Sequence, residues 1–246
     1  MSEGAPVAGA APERGFLATL LDVFVAPGDA FRGIALRPRF VEPLILAIGI
    51  GVAFSAIWTE RADAYQFMKT QMEESGAGDR IPAEKRGEVL RTQAKFFKVF
   101  AWIGPLVFAP LAYAALAGLF LFVYRFFYAA EITFPQSMAV VAWCMAAYGL
   151  VLNPLMLIVM ALKGEWSVDP HSVVQASGAA FLDKATTARP LYALAASLDL
   201  FSLWLIVLLS IGYGAVIGKR ASTAAWAVLA LWGLYVAGKC GIAAIF

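Results

Sequence analysis

The stretch SLDLFSLWLIVLLSIGYGAV, Ser197–Val216, decides the fold. Asp199 stands at the head of nineteen uncharged residues that end only at Lys219. A run of about 18 or more apolar residues is long enough to cross the hydrocarbon core of a bilayer as a helix. A single carboxylate at the head of such a run needs a physical reason, because charge is costly near lipid.

The rest of the chain has the same character. Of its 246 residues 61% are hydrophobic and 15% charged, with a mean hydropathy of +0.75, too apolar for an ordinary soluble domain. Five apolar runs stand out, at about 40–58, 99–124, 136–162, 200–218 and 222–246. Lipid offers backbone groups no partners, so these runs are expected to be helices. A transmembrane barrel would need many segments of about ten residues with alternating polarity, and none is visible. The expected fold is therefore all-α, a polytopic membrane protein built as a five-helix bundle.

Charge and cysteine usage narrow the function classes. The 19 basic and 17 acidic residues interleave in the same loops, so the net charge of +2 gives no nucleic-acid surface. Cys144 and Cys240 both fall inside apolar runs, where they read as small buried side chains rather than a disulfide. The N-terminus, MSEGAPVAGAAPERG, opens with an acid, and the apolar run behind it is interrupted by Asp22, which argues against a cleaved signal peptide.

From Gly15 the chain reads GFLATLLDVFVAPGDAFRGIALRPRF, with Phe16, Leu17, Leu20, Leu21 and Phe24 on one helical face. Pro27 ends that helix, and a second short one carries Phe31, Ile34 and Ala35 on one side. Arg32, Arg37 and Arg39 reach away from the apolar layer, in position to contact lipid phosphates. Two placements follow: an amphipathic pair lying in the membrane interface, or helices folded back against the bundle. The first loop, Thr59 to Lys98, alternates acids and bases around SGAGDRIP and predicts two solvent-exposed helices. The upstream one is expected to continue the first span, and the downstream one, from Ala83, to lead straight into the second.

Catalytic and metal motifs are missing. His171 is the one histidine, and although Asp169 and Ser172 lie beside it, triad members normally converge from separate elements. There is no GxSxG, HExxH, P-loop or CxxC pattern, and one histidine with two membrane cysteines cannot hold zinc. No catalytic residue, metal ligand or cofactor is expected. A coupled ion pathway would leave ionisable groups inside the spans, but only Glu42, Asp199 and Lys239 lie in or at them. Pro105, Pro110 and the Asn153–Pro154 pair read as kinks. Small residues recur at four-residue spacing: Ala47, Gly51 and Ser55, then Ser210, Gly214 and Gly218, then Gly233, Ala237 and Gly241. Such stripes let helix backbones approach closely in lipid and predict a compact bundle or a homo-oligomer.

Two blocks resemble bacterial members of the Yip1 domain family, which are five-span integral membrane proteins. PGDAFRGIALRPRFVEPLIL, Pro27 to Leu46, is similar to the family's approach to its first span, through Pro27, Phe31 and Pro43. LDLFSLWLIVLLSIGYGAV carries Asp199, Phe201, Trp204 and Gly212 in a spacing similar to the fourth-span signature. The eukaryotic members reside in Golgi and endoplasmic reticulum membranes and bind Rab-type GTPases, but the DLYGP motif tied to that role is missing here. The resemblance implies a nonenzymatic scaffold or accessory subunit of the bacterial inner membrane, in contact with lipids, other membrane proteins or a second copy. The contrasting expectation is a small permease or lipid-translocating protein. A polar-lined cavity reaching mid-bilayer would separate the two, and the middles of spans two to five, mainly Leu, Ala, Val, Phe and Trp, predict that none forms.

Residues 1–39 then read as a cytoplasmic tail with the amphipathic segment, and 40–246 as the five-span domain. Counting Lys and Arg gives seven on the side of the N-terminus and eleven on the other, which by number alone favours an external N-terminus. The three arginines beside the first span and the tight GKR turn at Gly218–Arg220 lie close to the membrane and favour a cytoplasmic one. Asp199 and Lys239 stand at nearly equal distances before and after that turn, about 3 Å apart in depth at about 1.5 Å per residue. They are expected to form an ion pair across the hairpin, with Asp199 also able to cap its helix.

Overall fold

The computed structural model describes residues 15–174, 176–183 and 186–245. The tail 1–14 and Lys184, both part of the charge count, lie outside the described residues. Among those residues the fold is all-helical, with a lone antiparallel bridge between Ser177 and Asp199.

In chain order the α-helices are α1 (Phe16–Val25), α2 (Pro27–Leu36), α3 (Val41–Arg61), α4 (Ala64–Ser75) and α5 (Ala83–Ile103). They continue with α6 (Ala109–Tyr128), α7 (Phe134–Lys163), α8 (Pro170–Val173), α9 (Arg189–Ser197), α10 (Leu200–Val216) and α11 (Ala221–Ile245). Four stretches are long and apolar enough to cross a membrane: α3, the continuous 46-residue helix Ala83–Tyr128, α7 and α11. The fourth expected span, α10, has 17 residues, about 26 Å at about 1.5 Å per residue.

Local chemistry sets the boundaries. The Asp63 carboxylate accepts from the amides of Tyr65 and Gln66 and starts α4, while Gly76, at φ 66°, ends it in the left-handed region that glycine adopts without strain. The chain therefore turns at Ala62 and Asp63, and the upstream half of the polar loop is a separate helix rather than a continuation of the first span. The downstream half does run from Ala83 into the second span. Pro105 does not break that helix, because five residues, Gly104–Phe108, widen into a π turn that absorbs the missing amide. Thr133 and Gln136 form a capping box at the head of α7, and Pro154 sits inside that helix without ending it.

Close backbone approach holds the bundle together, as association in lipid requires. A Cβ on Gly51 would stand 2.8 Å from Pro105, so α3 meets the π turn at contact distance. Gly214 faces the backbone of Ala221 at 3.0 Å, and Gly218 turns the chain at φ 66°, which makes the hairpin of α10 and α11 tight. Ala47, Ser55 and Ser210 are buried. Among the described residues nothing lies within 4 Å of a Cβ on Gly233 or Gly241, and Ala237 is exposed, so of the two roles expected of the third stripe, packing within the bundle is not seen among these residues.

The helices α1 and α2 fold back onto the bundle with one face each. Val23, Ala30, Phe31 and Ile34 are buried, and Phe31 lies between α7 and α10. The Phe16 ring packs tilted against Trp143 at 5.3 Å, Gln136 Nε2 donates to the Ala35 carbonyl, and Trp143 Nε1 donates to that of Arg39. Leu17, Leu21 and Val25 point outward, so the apolar residues of α1 divide between two faces instead of sharing the one face expected.

Candidate functional site

Between α9 and α10 the chain breaks for two residues, Leu198 and Asp199. Lipid would leave the amides at such a break unsatisfied, so each must find a partner within the protein. Gly178 N–H donates to the Leu198 carbonyl and Leu200 N–H to that of Ala176, at 3.1 Å each. Asp199 Oδ1 accepts from Phe201 N at 2.9 Å and from Ser202 N at 3.0 Å. A cap of this kind contributes about 1 kcal/mol and favours a charged carboxylate at the positive end of the helix. The question posed by Asp199 thus has its local answer: it starts α10 where α9 stops.

Beside this break lies a cavity of about 600 Å³, of the size that holds small ligands. Tyr148, Leu152 and Met156 form one wall, spaced four residues apart on α7. Trp232, Tyr235 and Lys239 form the facing wall on α11, again on one helical face. Since α10 packs against both helices, its first turn, with Asp199, Phe201 and Ser202, closes the space between them. Around the rim stand Glu74 at the end of α4, Asp169 at the head of α8, His171 and Ser172 in α8, and Ser177.

Depth follows from helix position. Tyr148 stands at the middle of α7 and Trp232 at the middle of α11, so the floor lies near mid-height of both. From Tyr148 to Met156 the wall rises about 12 Å at about 1.5 Å per residue. The apolar span middles did not point to a cavity, because its polar groups come from span ends, loops and the hydroxyls of tyrosines counted as hydrophobic.

The structure brings Asp199 and Lys239 to the same cavity, but among the described residues no salt bridge joins them. Equal depth did not suffice, because the Asp199 carboxylate turns to its own helix start. His171 is exposed on the rim, Ser172 Oγ donates to the Asp169 carbonyl and the Asp169 carboxylate accepts the His171 amide. These three residues therefore build a turn, not a proton relay. Among the described residues no three His, Cys, Asp or Glu side chains group to hold a metal.

The remaining sequence-chosen residues occupy other places. Pro27 opens α2, Pro43 is buried, Trp204 stacks on Phe24 at 5.9 Å, and Gly212 receives Phe31. Arg32 pairs with Asp29 on the exposed side of α2, and Arg37 and Arg39 are exposed beyond its end. The signals that point to the cavity were the Trp232, Tyr235, Lys239 spacing and the lone Tyr148 in a span of otherwise uncharged, mostly aliphatic residues. Neither curated proteins nor solved structures provide a match to the chain. The Yip1 domain matches residues 21–239, from α1 to the cavity wall on α11, and the two blocks that resemble the family meet at Phe31 and Gly212. The chain belongs to the Yip1 domain family.

Proposed function

We propose that this protein is a nonenzymatic scaffold or accessory protein of the bacterial inner membrane that works by holding a membrane lipid. The cavity carries this reading: polar groups crowd its rim, aromatic and aliphatic side chains line its floor, and it reaches the middle of the bundle, as an amphiphile with its head near the surface requires. Five spans, with α10 as the fourth, fit the tight hairpin to α11, and 17 residues fall at the lower limit for crossing. The exposed stripe of Gly233, Ala237 and Gly241 suits contact with a second copy or another membrane protein.

A lipid-translocating protein would need a path through the other half of the bundle. At the level of Gly212 and Tyr213 that half is closely packed, since Phe31 and Val140 press on Gly212, and Tyr213 and Ser137 share a buried 2.8 Å hydrogen bond. The arrangement supports a site that binds from one side over a passage that crosses.

Lipid retention tests the reading. Ala196 lines the cavity and is half-buried. Ala196→Trp is expected to strip co-purified phospholipid from the full-length protein while the melting curve in detergent stays near that of the wild type. Equal lipid in both proteins would remove the cavity from the function. For orientation, alkaline phosphatase fused after Phe246 is expected to be active, since a cytoplasmic N-terminus and five spans put the C-terminus outside. An inactive fusion would reverse it.

A further inference from the structure

We infer, building on the lipid-binding reading above, that the cavity selects a phospholipid whose head group carries a primary ammonium beside its phosphate. Asp199 takes the ammonium and Lys239 the phosphate.

The charge balance of the lining comes first. Asp199 and Lys239 line the cavity with opposite charges, so a purely anionic head group meets a like charge at Asp199. A zwitterion brings one charge of each sign and can answer both kinds of partner.

The second argument concerns Asp199. Its Oδ1 already holds both cap amides, while Oδ2 accepts no hydrogen bond among the described residues and the side chain lines the cavity. An N–H donor satisfies that oxygen, and a charge-assisted bond of this type is stronger than a neutral one. A quaternary ammonium has no N–H to give. Lys239 is exposed and in no salt bridge among the described residues, so its ammonium is open to a phosphate oxygen.

The third argument is the order of polarity with depth. Lys239 and Asp199 lie high in the cavity, Met156, Leu152 and the ring of Tyr235 come next, and Tyr148 and Trp232 form the floor. A head group above acyl chain follows that order. The aromatic faces near the carboxylate add to the attraction for a cation.

The test uses the full-length protein in detergent, offered equal amounts of phosphatidylethanolamine, phosphatidylglycerol and phosphatidylcholine with identical acyl chains, and reads bound lipid by native mass spectrometry. The ethanolamine lipid is expected to be retained about tenfold over either competitor, the ratio that one charge-assisted hydrogen bond can supply. Asp199→Asn keeps the cap, because asparagine caps as well as aspartate, and is expected to bring the ethanolamine lipid down to the choline lipid. Lys239→Gln is expected to lower all three. Soluble phosphoethanolamine, which lacks acyl chains, is expected to leave the bound lipid in place; displacement by it would assign the site to a water-soluble amine phosphate and overturn the lipid. Equal retention of the three lipids, preference for the glycerol lipid, or an ethanolamine preference unchanged in Asp199→Asn would overturn the head-group assignment while the cavity still binds lipid. Retention of no phospholipid at all would overturn the lipid-binding reading itself.

Discussion

Phe31 occupies the space that a side chain on Gly212 would fill. A Cβ built on Gly212 would stand 3.1 Å from two Phe31 ring carbons and 2.6 Å from Val140 Cγ1. Both residues are fully buried, so α2, α7 and α10 meet at this point through one missing methyl group.

Gly212→Ala is therefore expected to destabilise the protein by about 1 to 3 kcal/mol, the usual cost of overpacking a filled site. Gly233→Ala, where a Cβ meets nothing within 4 Å, is expected to leave stability unchanged or raise it slightly. Melting temperatures of the two variants in the same detergent decide this, and equal losses would show that the contact at Gly212 is loose.

At the break before α10, Asp199→Ala is expected to cost about 1 kcal/mol through the lost cap, and Asp199→Asn much less. Because Asp199 and Lys239 do not pair, the effects of Asp199→Asn and Lys239→Met on lipid-free protein are expected to add within about 0.5 kcal/mol. A double mutant that loses clearly less than the sum would reinstate the ion pair.

In the buried half of the bundle, Ser137 Oγ donates to the Ala117 carbonyl and accepts from the Tyr213 hydroxyl. Tyr213→Phe removes the second bond and leaves the first. Interhelical hydrogen bonds in lipid average about 0.6 kcal/mol and reach about 1.7 kcal/mol. Thermal or denaturant unfolding should find a loss within that range, and a larger one would mean that the hydroxyl organises more of the core than these two contacts.

Where α3 ends, Trp58, Phe67 and Phe97 form a ring cluster with centroids 5.0 to 5.3 Å apart, and it holds α4 against α5. Trp58 also donates to the Trp166 carbonyl, and Arg61 lies over the Trp166 ring, which ties the loop after α7 to the same point. Phe97→Ala is expected to cost about 3 kcal/mol locally and to speed tryptic cleavage after Arg80 in the connecting turn. An unchanged cleavage rate would mean that the α4–α5 hairpin holds without its aromatic base.

Much of this protein was written in its sequence. Unbroken apolar runs forced helices, because backbone groups in lipid have no other partners, and α3, α7, α10 and α11 begin and end within a few residues of where the runs do. Local chemistry at Asp199, Thr133 and Gly218 was equally readable, since a cap or a tight turn needs only neighbours in the chain. Only the tertiary structure decided which face of each span packs. In water the buried face of a helix is marked by its apolar residues, but in lipid both faces are apolar, and periodicity stops reporting on contact. For that reason Gly212 and Gly233 looked alike in the sequence, although one is filled by Phe31 and the other faces outward. For the same reason the Trp232, Tyr235, Lys239 spacing and the lone Tyr148 were legible only as separate features, and the tertiary structure decided that they face one another across a cavity beside α10.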